Sequence, residues 1–295
     1  MIPTCRIAGF AWKAASKVSG LGAGLFVTLV ILMVSGRSAL AWGPEGHRLV
    51  NNWAVETLPP EISGFFEANR QFLVEHANDP DEWMQKDRYE RKRHYLYFDK
   101  YGLFPYLALP RRFNTAVEKF GSGRVNRDGL LPWHIGEYSL RLTNALREQK
   151  WDEAKLAAAA LGHYVADAHD PLHTTSNYDG QLSSQTGLST RFGQTLIERY
   201  KNFMIMRSAL AVKIDDPTEF AFSMALEANT WVDNVLLADR RALVEARDYN
   251  EEYFDRLYGS AGPIAAQELN AAARDLGSYW YTAWLNAGRP ALPGR

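Results

Sequence analysis

His163, Asp167 and His173 lie within one stretch, HYVADAHDPLH, and their types and spacing are those of a metal cluster. His163 and Asp167 are four positions apart, so on a helix their side chains project from one face, and Pro171 ends that helix just before His173. Imidazole and carboxylate are ordinary zinc ligands, and the two oxygens of one aspartate can bridge two ions that single histidines hold from either side. The bland alternative is a capped helix carrying surface histidines.

The start of the chain bears on that choice. It opens with Arg6, Lys13 and Lys17 and no acidic residue, runs through an apolar stretch from Leu21 to Val34, and reaches Ala39-Leu40-Ala41. A basic start, an apolar centre and an A-x-A site predict an export signal, residues 1–41, cleaved after Ala41, and a periplasmic or secreted mature chain, residues 42–295, without a membrane span. A retained membrane anchor is the alternative, but the apolar core is shorter than a comfortable span. Cleavage there makes Trp42 the first residue, with His47 five positions on. A free α-amino group titrates near pH 8, about two units below a lysine, so it can yield its proton to a metal. The Trp42 carbonyl can close a chelate ring, and His47 is near enough to share the ion.

The only cysteine, Cys5, falls inside the expected leader, so any metal in the mature chain binds through nitrogen and oxygen. Losing the leader also changes the formal charge from −1 to −5. That argues against a basic nucleic-acid clamp, though not against a nucleic-acid substrate, because bound cations add local positive charge.

The elements that must position these groups read as helices throughout. Residues 133–149 repeat apolar positions at helical spacing, and the Ala-rich run after Trp151 leads into HYVADAH. Asp216-Pro217 opens another helix, expected to run unbroken through Val244, and a last one is expected from about Ala265 to Gly288. Clusters of Gly, Pro, Asn and Ser make residues 98–132 and 174–187 loops. No alternating run suggests a sheet. The expectation is a single compact all-α domain with long loops.

Upstream, Asp79 precedes His94 by fifteen positions, with Asp81 as the alternative partner because loop spacing is elastic. A mature amino-terminal Trp with a His five residues on, an Asp and a His fifteen apart, and H-x-x-x-D-x-x-x-x-x-H with Pro-Leu before the last His resemble the S1/P1 nuclease and zinc-dependent phospholipase C superfamily. The motifs span most of the mature chain. The resemblance implies a helical protein that binds up to three zinc ions in a cleft and hydrolyses phosphodiester bonds. It implies that Asp79, His94, His163 and Asp167 hold one zinc, and that Trp42, His47 and the other oxygen of Asp167 hold a second. It also implies that Asp79 orients or deprotonates the attacking water while Asp167 bridges the ions, and that His173 begins a third site.

The third site is incomplete. Where the family pattern places a histidine and a carboxylate four residues apart, GLSTRFGQ has Ser189 and Gly193, leaving Asp179 or Glu198 as the only nearby substitutes. Two zinc ions are therefore expected, with the third weak or absent and catalysis reduced accordingly. His169 is expected beside the site or at the surface, His76 and His134 as packing residues, and the RYERKRH run as a solvated face. Nucleic acid and phospholipid are both candidate substrates, with a slight lean to an endonuclease acting on single-stranded nucleic acid. Tyr95 directly after His94 leans towards a nuclease, whereas Tyr97, standing where such nucleases hold a base with a carboxylate, and the absence of disulfides lean towards a phospholipase. A zinc-binding protein without turnover, or a helical domain without metal, are the readings from other classes.

Overall fold

HYVADAH closes the most buried helix of the protein. The computed structural model describes residues 42–293 apart from residue 208, and the expected leader, residues 1–41, lies outside them. Twelve α-helices of five or more residues, joined by short 3₁₀ turns and one π-helical stretch, make up the described residues. The only strand-like feature among them is a bridge between Leu96 and Gly129. The all-α expectation holds.

The chain begins with α1 (Gly43–Val55), α2 (Pro60–Ala68), α3 (Arg70–Glu75) and α4 (Asp79–Trp83). Next come α5 (Phe113–Phe120), α6 (Ser122–Asp128), α7 (Leu131–Arg147) and α8 (Trp151–Ala168). The remainder is α9 (Leu196–Tyr200), α10 (Pro217–Asn229), α11 (Val232–Ala246) and α12 (Glu251–Asn286). Helix α8 is the central one. Every residue from Ala157 to Ala168 is buried, and the run of alanines lets α1, α7 and α12 approach on all sides, as an all-round apolar helix requires.

Gly162 sets the closest of these approaches. A Cβ there would lie 1.8 Å from Asn51 Oδ1 of α1, so only glycine lets α1 seat fully on α8. Asn51 completes the seat by donating to Ala159 O (3.2 Å) on α8 and Leu73 O (2.8 Å) on α3. This seating brings His47, one turn before Asn51, against His163: the two rings stack with centroids 3.9 Å apart.

Three expectations about the elements are corrected. Residues 98–132, expected as loop, contain α5 and α6, short helices set between the glycines that masked them. The helix after Asp216 breaks at Thr230-Trp231, where the last turn tightens into i→i−3 bonds at 3.0 Å and Asn229 is drawn off to hydrogen-bond Thr174. Asp216 caps its start as expected, accepting from Thr218 N and Glu219 N. Finally, α12 starts at Glu251 rather than near Ala265 and continues through Pro263. The residue whose carbonyl a helical proline crowds is four back, here Gly259, which carries no side chain.

Candidate metal centre

Two overlapping sets of three donors, Asp81, His94 and His163, and His47, His163 and Asp167, meet at the inner end of α8. His94 Nδ1 lies 2.9 Å from Asp167 Oδ2 and 3.1 Å from His163 Nε2, which is itself 3.5 Å from Asp167 Oδ2. Asp81 Oδ1 completes the group at 3.6 Å from His163 Nε2 and 4.0 Å from His94 Nδ1. A tetrahedral zinc with ligands about 2.0–2.2 Å away has its donors about 3.4 Å apart, so these separations straddle what one ion needs. On the other side of Asp167, His47 Nε2 stands 3.1 Å from Oδ1. One carboxylate therefore presents each oxygen to a different imidazole, as a bridging ligand must.

Backbone carbonyls fix which nitrogen of each ring faces inward. His163 Nδ1 donates to Ala77 O (2.9 Å) and His47 Nδ1 to Gly43 O (2.8 Å), leaving both Nε2 atoms with their lone pairs on the cluster side. His173 Nδ1 donates to His94 O (2.6 Å), which ties the two histidine-bearing segments together and leaves its Nε2 as the free lone pair. His94 turns its Nδ1 inward. Its buried Nε2 has no hydrogen-bond partner but stands 3.5 Å from Glu90 Oε1.

Glu90 is the residue the sequence did not reveal. RYERKRH was expected as a solvated face, yet Glu90 is buried, accepts from the Tyr164 hydroxyl and pairs with Arg93 at 2.5 Å. Burial disfavours its charge, but contacts to His94, Tyr164 and Arg93 outweigh that and bring its carboxyl down to about 2. It sits behind His94 as an outer carboxylate sits behind a metal-ligating histidine. The i, i+4 spacing of Glu90 and His94 was the available signal.

The same electrostatics act at the centre. Burial would raise Asp167, but His163, His173, His47 and His94 surround it and hold it well below the usual carboxylate range. Burial would lower His94, but Asp167 and Glu90 lift it to about 9. His163 goes the other way, well below the usual imidazole value, because it is buried and flanked by His47 and His94. Protons and any bound cation would compete for one set of donors.

The carboxylate beside His94 is Asp81, not Asp79, the residue expected there. Asp79 opens α4 and pairs its Oδ2 with His76 Nδ1 at 2.7 Å. Two positions along a helix are about 200° apart in direction, so these aspartates cannot both face the cluster. His169 is also relocated: it is buried between Glu268 (3.0 Å) and Asp275 (3.2 Å) of α12 and takes no part in the cluster. His76 serves Asp79, and His134 is buried against the Tyr164 ring.

Trp42 is fully buried and its indole Nε1 donates to Ala166 O at 2.9 Å. That bond pins the residue expected to become the amino terminus beside the residue that precedes Asp167. At the third-site segment, Ser189 Oγ donates to Asp179 Oδ1 (2.7 Å), and Gly187 N donates to Asp179 Oδ2 (2.9 Å). Asp179 is thereby spent on its own turn, and Glu198 is exposed and bonded to Gln194 at 3.0 Å. Among the described residues, the groups able to hold a metal are His47, His163 and Asp167, and Asp81, His94 and His163. His173 belongs to neither.

Next to His94, the rings of Tyr95, Tyr97 and Tyr178 form a partly exposed stack with centroid spacings of 4.3 and 5.8 Å. Neither a protein-family model nor a curated protein matches the chain.

Proposed function

We propose that residues 42–295 are the mature form of an exported, zinc-dependent phosphodiester hydrolase of the S1/P1 nuclease and phospholipase C superfamily. One observation carries this reading: His47, His94 and His163, from two helices and a turn, turn ring nitrogens onto the Asp167 carboxylate, and Asp81 Oδ1 from a third helix lies within 4.0 Å of the His94 and His163 nitrogens. His94, His163, Asp81 and Asp167 would hold one zinc. His47, the second oxygen of Asp167, and the amine and carbonyl of Trp42 after processing would hold the other. Bound zinc supplies an acidified water at neutral pH and charge to neutralise phosphate oxygens.

The chain's own groups do the rest. Asp167 fixes the spacing of the two halves, and Asp81, more accessible than Asp167 and at the edge of the cluster, replaces Asp79 as the group that orients or accepts a proton from the attacking water. Ser189 and Gly193 leave His173 without the partners of a third ion. The loss of one such electrostatic stabiliser slows turnover by about a hundredfold.

The tyrosine stack beside His94 supports a nucleic-acid substrate, since stacked aromatic faces accept any base. The phospholipid reading has its own support in the apolar loop described below. Purified processed protein, given zinc and offered single-stranded DNA, RNA and phosphatidylcholine side by side, separates them. Zinc-dependent cleavage of one substrate that Asp167→Asn abolishes supports the hydrolase; zinc retention without cleavage of any of them replaces it with a binding protein.

A further inference from the structure

We infer that the loop from Gly102 to Arg112 is a docking element for an anionic lipid surface. Leu103 and Leu107 are 91 % and 85 % exposed and Phe104 is 58 % exposed, three big apolar side chains within five residues. Apolar side chains held this far out of the core mark a contact surface rather than a packing residue.

Two observations say what the contact is. First, the loop is built to stay out. Tyr106 N and Leu109 N close tight turns onto Leu103 O (2.8 Å) and Tyr106 O (3.0 Å). Leu109 is buried, Tyr106 stacks on Phe98 with centroids 5.3 Å apart, and Lys119 Nζ donates to Ala108 O at 2.8 Å. A tip braced at its base loses little entropy on insertion.

Second, the tip has a basic collar. Between residues 100 and 127 the chain carries Lys100, Arg111, Arg112, Lys119, Arg124 and Arg127 against one acid, Glu118, in a protein whose acids otherwise outnumber its bases. Of these six, only Arg124 and Arg127 have a carboxylate partner, Asp128, among the described residues. Leucine and phenylalanine flanked by exposed Lys100 and Arg112, which have no carboxylate partner among the described residues, suit acyl chains beneath anionic headgroups. A nucleic acid would reward the cations and leave the leucines in water.

The brace also reaches the segment that follows α8. The Tyr106 hydroxyl donates to Asn229 Oδ1 (2.9 Å), and Asn229 Nδ2 donates to the Thr174 hydroxyl (2.9 Å), one residue beyond His173. Docking itself needs no metal, so it stands or falls apart from the hydrolase reading.

The test uses the cysteine content of the chain. With Cys5→Ser, a Leu103→Cys variant carries a single thiol for an environment-sensitive fluorophore, whether or not the leader is retained. Vesicles of phosphatidylcholine mixed with phosphatidylglycerol should shift its emission to the blue, with a weaker response to phosphatidylcholine alone and none from the same label at Val244→Cys. Leu103→Asp with Leu107→Asp should lower vesicle affinity by about a hundredfold, each leucine counting for roughly tenfold. Lys100→Glu with Arg112→Glu should remove the preference for anionic vesicles. Unchanged thermal unfolding in these variants shows that the domain is intact. A label at 103 that ignores both vesicle types, or that responds to a single-stranded oligonucleotide and not to vesicles, overturns the inference.

Discussion

His94 Nδ1 and Asp167 Oδ2 stand 2.9 Å apart although 73 residues separate them in the chain. The other oxygen of Asp167 meets His47 at 3.1 Å, so this one carboxylate joins α1, α8 and the turn before Tyr95. Asp167→Asn keeps the volume and removes the shared charge. Zinc content, measured by elemental analysis, should fall below one ion per chain, and any phosphodiesterase rate should fall at least a hundredfold, the order of an electrostatic group in a metal site.

Asp81 and Asp79 differ by two positions and separate cleanly as predictions. Asp81→Asn should weaken zinc binding by about tenfold to a hundredfold, read by competition with a chelator, because it removes a donor from the group around His94 and His163. Asp79→Asn, whose partner is His76, should leave the affinity within about threefold of wild type, as changes outside the ligand set do.

Much of this centre was legible in the sequence because its parts are local: the i, i+4 pair His163 and Asp167, the Pro171 stop, and a histidine five residues after Trp42 are periodicity and turn chemistry. The choice between Asp79 and Asp81 was not, since a spacing of fifteen residues across an irregular segment carries no direction. Only the start of α4 at Asp79 decides which aspartate faces inward. Glu90 was hidden for the opposite reason: it sits in a run of cations that reads as solvated, and its burial depends on Tyr164, 74 residues away. The helices α5 and α6 were missed because glycines at 102, 121, 123 and 129 punctuate the segment at the scale of the helices themselves.

The degenerate third position gives a gain-of-function prediction. Ser189→His with Gly193→Glu supplies the two donors that the family pattern pairs with His173 and should raise zinc content from two towards three per chain, with a rise in rate. The Ser189 bond to Asp179 is lost in the process, at a cost of about 1 kcal/mol in unfolding free energy. An unchanged zinc count would show that these two positions are not what disables the site.

Away from the metal, Asp275 supplies a pH signature. Burial would raise its carboxyl, but His169 and Arg274 outweigh burial and lower it. A carboxyl lowered on folding adds stability above its unfolded value of about 4 and loses it as pH falls below that. Asp275→Asn breaks a buried pair and should cost about 3–5 kcal/mol at pH 7 by denaturant unfolding. The gap between variant and wild type should narrow as the pH is taken below about 4, where the wild-type carboxyl also loses its charge.

Trp42 brings the account to its most direct test. Its indole bond to Ala166 O ties residue 42 to the residue before Asp167, and on the proposed reading a free amine there would be a ligand whereas an amide would not. The decisive measurement is the zinc stoichiometry of chain processed to begin at Trp42, set against the same chain with one residue added ahead of it. Two zinc ions per chain in the first and one in the second is the expected result; no bound zinc in the correctly processed protein, or equal content in both, would contradict it.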